Sequence, residues 1–355
     1  MRICLIASNR HPVREPFAGG LEALTHELAR LLVRRGHQVA LFAGAGIDPD
    51  LPVARLTAAD FRASEAARRD VNAPSEAWMA DHHAYLDLML GLARTGSSRF
   101  DLVHNHSLHY LPVAMAPALE VPLLTTLHTP PVPWLESAIA TARDASAFTA
   151  VSRSTAAAWA HAVACTTILN GIDTEVWRYG PGGGPAVWTG RLVREKAPHE
   201  AIDASRSAGM PIILAGPAPD TEYFETSIAP RLGPDAVHVG HLVHRALARL
   251  VARAGVAVVT PQWDEPYGLV AAEAMACGTP VAAYARGALP ELVAEGTGAL
   301  AEPGDPEALA RTIRQALDCD RARVRSHAVE RLSTTRMVAE YEARYAELAG
   351  QDAAA

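Results

Sequence analysis

Short apolar runs alternate with stretches of helical periodicity from Ile3 to Leu300, and few folds accept that pattern. Ile3 to Ala7 is the first run. From Gly19 to Arg35, Leu21, Leu24, Leu28, Leu31 and Leu32 share one helical face, and Gly36 suits the position after the helix. Val39 to Ala43, Leu102 to His104, Leu123 to Leu127, Phe148 to Val151 and Thr166 to Leu169 continue the alternation. Strands apolar on both faces and separated by helices belong to a parallel sheet covered on both sides.

The pattern breaks at Arg178-Tyr179-Gly180-Pro181-Gly182-Gly183-Gly184-Pro185, which cannot hold a helix or an interior strand and reads as a linker. It then restarts with Ala186 to Thr189, Ile212 to Ala215, Val237 to Val239, Val256 to Thr260, Val281 to Tyr284 and Ala299 to Leu300. The expectation is an α/β protein of two doubly wound, Rossmann-like domains, over 1–178 and 186–333, facing each other across a cleft. The tail reads as helices over Pro306 to Leu317, Arg321 to Leu332 and Thr335 to Leu348, with the segment 334–355 packing back on the first domain. Ala54 to Asp81 has weak periodicity and receives no element. At 355 residues the chain suits about two domains.

A formal net charge of -7 argues against nucleic acid as a partner, because such proteins usually carry a basic face. Cys4, Cys165, Cys277 and Cys319 stand far apart with no C-x-x-C spacing, so thiols in a reducing compartment are expected. The first apolar stretch is too short for a signal peptide, and no run reaches the ~20 residues that span a bilayer. These features predict a cytoplasmic protein without stable membrane insertion.

The chemistry concentrates after the strand Val256 to Thr260. Pro261 to Pro266 cannot continue that strand, and Gly268 opens a helix running to Ala276. Free N–H groups near Gly268, Leu269 and Val270 then face the space beyond the strand's carboxyl end, where an anion is favoured. Glu273, on the helix's second turn, can accept two hydrogen bonds from a ribose diol. Glu265, before the helix, can hold sugar hydroxyls, and Tyr267 lines the same turn. Solvated surface glutamates are the alternative.

Glu265, Glu273 and the following Ala274-Met275-Ala276-Cys277-Gly278-Thr279-Pro280-Val281 resemble the paired-glutamate signature of retaining glycosyltransferases with the GT-B fold, in particular glycosyltransferase family 4. The resemblance implies transfer of a sugar from a nucleotide-diphosphate donor, with UDP the commonest nucleotide, to an acceptor hydroxyl with retention of configuration. It implies no cofactor and no metal.

Other motifs take roles from it. In Thr189-Gly190-Arg191-Leu192-Val193-Arg194-Glu195-Lys196, both Arg191 and Lys196 can reach a diphosphate and stabilise a leaving group. The family's Gly-Arg followed by Lys makes them its phosphate pair; a solvated basic loop is the alternative. Gly19-Gly20 opens the first helix, and the resemblance sets Gly20 against the donor. Leu127-His128-Thr129 is similar to the family's strand-end histidine, so His128 faces the sugar or the reacting centre. Gly240 and Leu242, in Val239-Gly240-His241-Leu242, match a loop lining the nucleobase pocket. Asn170-Gly171-Ile172-Asp173 is similar to an interdomain turn.

His104-Asn105-His106 invites a metal, but no carboxylate or cysteine completes a shell. Asp48-Pro49-Asp50 and Asp318-Cys319-Asp320 stand away from the glutamate motif and are set aside as metal sites. A dinucleotide-dependent oxidoreductase would carry G-x-G-x-x-G after the first strand, where Ala7-Ser8-Asn9-Arg10-His11-Pro12 stands instead; Gly44-Ala45-Gly46 follows the second. A nucleotide-sugar epimerase and a non-catalytic nucleotide-sugar binder stay open. The acceptor is expected to be a soluble small molecule or saccharide, since Arg62, Arg68 and Arg69 are interrupted by Glu65 and Asp70.

Overall fold

The computed structural model describes residues 1–43, 46–57 and 60–350. Gly44 and Ala45 of the Gly-x-Gly string, and 351–355 of the C-terminal segment, lie outside the described residues. The chain forms two compact units, one built from 1–151, 156–168 and the chain from 338 on, the other from 152–155 and 169–337.

The first unit holds β1 (Arg2–Ile6), β2 (Gln38–Phe42), β3 (Ala54–Leu56), β4 (Leu102–Asn105), β5 (Leu123–Leu127), β6 (Ala147–Ala150) and β7 (Thr166–Thr167). All pair in parallel in the order β3-β2-β1-β4-β5-β6-β7. Its helices are α1 (Gly20–Arg34), α2 (Glu76–Arg99), α3 (Leu111–Ala114), α4 (Pro133–Ala142) and most of α5 (Arg153–Trp159). Cys4, Ile6, Phe42, Val103 and Leu123 pack with Tyr85, Met89 and Leu92 of α2 in one buried cluster. Leu127, Leu135, Ile139, Phe148 and Trp159 form another.

The second unit holds β8 (Ala186–Thr189), β9 (Ile212–Ala215), β10 (Ala236–His238), β11 (Ala257–Val259), β12 (Val281–Tyr284) and β13 (Gly298–Ala301). Their order is β10-β9-β8-β11-β12-β13, again parallel throughout. Around them stand α6 (Pro198–Ser207), α7 (Thr221–Tyr223), α8 (His244–Arg253), α9 (Leu269–Ala276), α10 (Leu289–Leu292), α11 (Pro306–Leu317) and α12 (Arg321–Arg331). The last helix, α13 (Thr334–Leu348), starts in this unit, and from Val338 it belongs to the first. There the Tyr341 and Tyr345 hydroxyls reach Thr126 and His104 at 3.2 and 2.6 Å.

Strand order reverses between β1 and β4 in one sheet and between β8 and β11 in the other. Such switch points open a crevice at the carboxyl ends of the strands, where ligands of open α/β sheets bind.

The Gly/Pro run expected as a linker belongs to the second unit, and the division falls earlier, between 168 and 169. Gly180, Gly182 and Gly184 donate their N–H groups to the carbonyls of Cys277, Ala252 and Arg253 at 3.2, 3.1 and 2.9 Å. A Cβ at Gly180 would sit 2.4 Å from the Ala252 carbonyl oxygen. The Arg321 guanidinium donates to the carbonyls of Gly180 and Ala252 as well. Glycine serves close approach here, not freedom.

Two elements escaped the alternation. β3 is a three-residue edge strand in the stretch given no element, and α2 is 24 residues long. Ser75 caps α2 by accepting from the Trp78 N–H at 3.2 Å, and Tyr85, Met89, Leu92 and Gly96 mark its buried side at helical spacing.

Candidate functional site

In the second unit, three segments separate in sequence converge at the β8/β11 switch point. The first leaves β8. After Gly190 the chain exposes Arg191, buries Leu192 and Val193, and turns through a short 3-10 segment, Arg194–Lys196, into α6. Ala197 completes that turn at φ 44°, ψ 52°, an uncommon conformation for a residue with a side chain. The turn is tied to β11, because the Thr260 hydroxyl meets the carbonyls of Lys196 and Ala197 at 2.8 and 3.0 Å.

The second segment leaves β11. Lys196 Nζ donates to Glu265 Oε2 at 2.5 Å and lies 5.4 Å from the Trp263 ring centre. Both partners are largely screened, with side-chain exposures of 25% and 12%. Gly268 sits at φ 94° just before α9, and a Cβ there would meet Leu289 Cδ2 at 2.8 Å. Among the described residues no side chain caps α9, so its first N–H groups at Leu269 and Val270 keep their donor capacity.

Glu273 stands on the second turn of α9. Among the described residues no hydrogen-bond partner meets its half-buried carboxyl, and burial pushes its pKa up to about 8. The third segment follows β12: the Ala288 N–H donates to the Glu265 carbonyl at 2.8 Å, and a Cβ at Gly287 would fall 2.2 Å from that same oxygen. Among the described residues, Trp263 Nε1 and Arg286 Nε find no hydrogen-bond partner, though both are buried. The sequence reading missed Trp263, Arg286 and Gly287. An Arg-Gly pair just after an apolar strand was the available signal.

A row of glycines forms the backbone floor beside β8. The Gly190 N–H donates to the Ala215 carbonyl at 3.1 Å, and the Gly216 N–H donates to the Gly240 carbonyl at 2.9 Å. A Cβ at Gly216 would lie 1.7 Å from the Gly190 oxygen. Gly240 has φ 76° with open space where a Cβ would go, and Leu242 is half-buried after it.

Other expected residues stand differently. Arg191 is exposed, 3.6 Å from the Glu195 carboxylate. Tyr267 is buried, and its hydroxyl donates to the Asn170 carbonyl at 2.5 Å, so this ring anchors the loop. Ser152 and Thr155 hold the Pro266 carbonyl at 2.6 and 3.0 Å. The Asn170 to Asp173 turn is sewn to the start of α13: a Cβ at Gly171 would lie 2.5 Å from Thr334 Cα, and the Ile172 N–H donates to Leu332 at 2.7 Å. Asp320 caps α12, while Asp48 pairs with His26 at 2.9 Å.

In the first unit, Gly20 is the exposed first residue of α1. The strand-end histidines form a relay: His128 Nε2 lies 3.0 Å from His106 Nδ1, and His106 Nε2 lies 3.1 Å from His104 Nδ1. His104 Nε2 meets Thr126 at 2.7 Å. Apart from His128 Nδ1, the ring nitrogens are engaged within the protein, and among the described residues no three His, Cys, Asp or Glu side chains group as metal ligands. Among the described residues the Tyr345 hydroxyl has only His104 Nδ1 to donate to, so His104 carries hydrogen on Nε2, as does His106. His128 then donates from Nε2 and presents Nδ1 as an acceptor. Burial lowers all three pKa values, that of His128 to about 3, so the rings are neutral.

A hollow of about 600 Å³ lined by Pro181, Gly184, Val187, Leu250 and Arg253 lies at the amino ends of β8 and β9, away from these groups. Among the described residues no helix is long and apolar enough to cross a membrane.

The model for glycosyl transferases group 1 matches residues 186–331, and that for glycosyltransferase family 4 matches residues 18–176. A glycogen synthase of Mycobacterium tuberculosis is 30% identical over 364 aligned positions, spanning 90% of this chain and 86% of that protein. A sucrose-phosphate synthase from Thermosynechococcus elongatus shares the fold at TM-score 0.75 and 22% identity, over 98% of each chain. Anabaena HepE, solved with UDP and glucose, shares it at TM-score 0.72 and 21% identity, over 98% of this chain and 100% of its own. With the glycogen synthase aligned over most of both chains, and both halves matched by the family's models, the chain belongs to the group 1, family 4 glycosyltransferases of the GT-B fold, enzymes that draw on a nucleotide-sugar donor.

Proposed function

We propose that this glycosyltransferase takes its sugar from a UDP-sugar, transfers it with retention of anomeric configuration, and needs no metal ion. The observation that carries the reading is the convergence of Lys196, Glu265 and the uncapped start of α9 at the β8/β11 switch point, with the unpaired Glu273 carboxyl one helical turn on.

In this reading the α9 N–H groups at Leu269 and Val270 hold the diphosphate, with Gly268 allowing its close approach. Glu273 accepts from the ribose diol. The strip at Gly240 and Leu242 lies against the base. Lys196 has three N–H donors and spends one on Glu265, leaving two for phosphate oxygens. Arg191, on its exposed loop, adds a planar fork to the same anion.

The bond from the anomeric carbon to the phosphate oxygen breaks, and its electron pair leaves with UDP. The acceptor oxygen bonds to the same face of that carbon, and its proton passes to the departing phosphate. Positive charge on Lys196 and Arg191 stabilises the leaving group, the work a metal ion would otherwise do. Glu265, fixed by Lys196, orients the sugar hydroxyls. The four cysteines are free thiols, which supports a cytoplasmic site of action.

The test is a UDP-release assay with UDP-glucose and a panel of saccharide and cyclitol acceptors, run with and without EDTA, with the product anomer read by NMR. Acceptor-dependent release that survives EDTA and gives the donor's anomer is expected. Release abolished by EDTA, or an inverted product, contradicts the reading. Interconversion of the donor sugar without transfer identifies an epimerase, and donor binding with no turnover identifies a sensor.

A further inference from the structure

Past Thr189, Val259 and Tyr284, where β8, β11 and β12 end, the sheet no longer ties the chain together. The loops that carry Lys196, Glu265 and Gly287 depend on other bonds there. One side chain reaches across them. Glu200 stands on the first turn of α6, directly after the Lys196 turn, with 18% of its side chain exposed. Its Oε1 accepts from the Gln262 side-chain amide at 2.7 Å, and its Oε2 accepts from the Tyr284 hydroxyl at 2.5 Å. Gln262 lies in the loop between β11 and Glu265, and Tyr284 is the last residue of β12.

Both arms lead to Glu265. From Gln262 the chain passes through Trp263 to Glu265, and the Gln262 N–H donates to the Glu195 carbonyl at 2.8 Å, beside Lys196. From Tyr284 the chain runs to Gly287 and Ala288, which pack on the Glu265 backbone and bond its carbonyl. The base of the bridge is firm, because Ala201, Ile202 and Ala204 of α6 are buried in the core of this unit.

The chemistry suits a carboxylate. Among the described residues no lysine or arginine pairs with Glu200; the basic group within 4 Å is His199 Nε2, at 3.9 Å, and burial lowers the pKa of that ring. Glu200 is thus a double acceptor and not half of an ion pair, and the start of α6 favours its negative charge. Burial, and after it the bond to Glu200, raise the Tyr284 pKa, so this hydroxyl keeps its proton and donates.

We propose that Glu200 is a positioning residue for the transfer reaction, bridging the loops after β11 and β12 so that the Glu265 carboxylate is set against Lys196. This role rests on the donor site assigned to Lys196 and Glu265, and Glu200 acts through that pair. A misplacement of about 1 Å at such a pair costs on the order of 10²-fold in rate.

The test compares Glu200→Ala, Glu200→Gln and Gln262→Ala with wild type. In Glu200→Gln the amide carbonyl accepts from Tyr284, and the amide nitrogen donates to the Gln262 carbonyl once that side chain turns over, so the bridge survives without the charge. Gln262→Ala breaks the bridge from its half-buried end, which keeps the question open to test should Glu200→Ala fail to fold. Indole N–H resonances of isotope-labelled protein read the loop without turnover. Trp263, assigned with Trp263→Phe, is the reporter, and Trp188, bonded to Thr260 at 3.1 Å, is the control for the sheet. UDP release from UDP-glucose with the saccharide and cyclitol panel reads the reaction, and calorimetry reads UDP binding.

Both alanine variants should move or broaden the Trp263 signal and hold that of Trp188. Their turnover at saturating donor should fall about tenfold or more, while UDP affinity stays within about threefold, because α9 and Glu273 are untouched. Glu200→Gln should return signal and rate to within about threefold of wild type. A role in stability alone would lower the melting temperature and leave the rate of the folded protein in place. An unmoved Trp263 signal in the alanine variants overturns the proposal, as does a moved signal with a wild-type rate. Failure of Glu200→Gln to recover the signal also overturns it. Should wild type release no UDP, the donor reading falls, while the Trp263 signal still decides whether Glu200 holds this loop.

Discussion

Lys196 and Glu265 were each legible in the sequence, but their pairing was not, because 69 positions separate them and only the return of the chain through β11 joins them. The same return explains why Trp263 and Arg286 went unread: their orphaned N–H groups become visible only once the loops after β11 and β12 are side by side. Tyr267 shows the converse. It stands in a motif, yet its hydroxyl anchors the loop to the Asn170 carbonyl. The pairing carries a prediction. Lys196→Ala removes the ammonium facing the leaving group and leaves Glu265 without its cation. Turnover should fall by ~10²-fold or more, the scale of a lost transition-state donor, with a smaller change in donor affinity. Steady-state kinetics on the transfer reaction check this, and a near-normal rate removes Lys196 from the role.

At the level of elements, strands with continuous apolar runs and helices with clear stripes were legible throughout, because burial on both faces of a parallel sheet leaves a strong signal. β3 was not, since a three-residue edge strand with exposed Ala54 and Arg55 carries almost no pattern. Nor did composition reveal that the Gly/Pro run 178–185 is stitched to α8, α9 and α12, because glycine for tight packing and glycine for freedom look alike in sequence. Gly216 was overlooked for a similar reason. Its neighbour across the sheet, Gly190, approaches so closely that Gly216→Ala would place a methyl 1.7 Å from a carbonyl oxygen. That substitution should cost about 2 kcal/mol or more, in the range of backbone clashes that cannot relax. A thermal melt should register it as a fall of several degrees, and an unshifted melt would mean that the β8 and β9 ends part readily.

Across the whole molecule, pH acts in two directions. The relay of His104, His106 and His128 is neutral when folded and takes up protons when unfolded. The unfolded chain therefore binds more protons below about 6.5, and the relay's contribution, complete above that pH, is lost progressively as pH falls toward 3. Glu273 works oppositely: its folded pKa of about 8 exceeds the ordinary 4.5, so its contribution is present below 4.5 and lost as pH rises through 8. Three groups outweigh one, so melts between pH 7 and pH 4 should show stability falling with acid. His106→Gln should flatten that slope, and a slope unaltered by it would contradict the relay's part.

Glu273 also offers the most direct access to the donor site. If its carboxyl holds a ribose diol, UDP must meet the ionised form, so binding near neutral pH drives off a proton. Calorimetric titration of UDP into wild type and Glu273→Ala, in phosphate and in Tris at pH 7, reads affinity and proton release together. The predicted result is binding to wild type with a heat that differs between buffers in the sense of proton release, and at least tenfold weaker binding with no buffer dependence in the variant. Equal UDP affinity in the two proteins would contradict the account of the donor site.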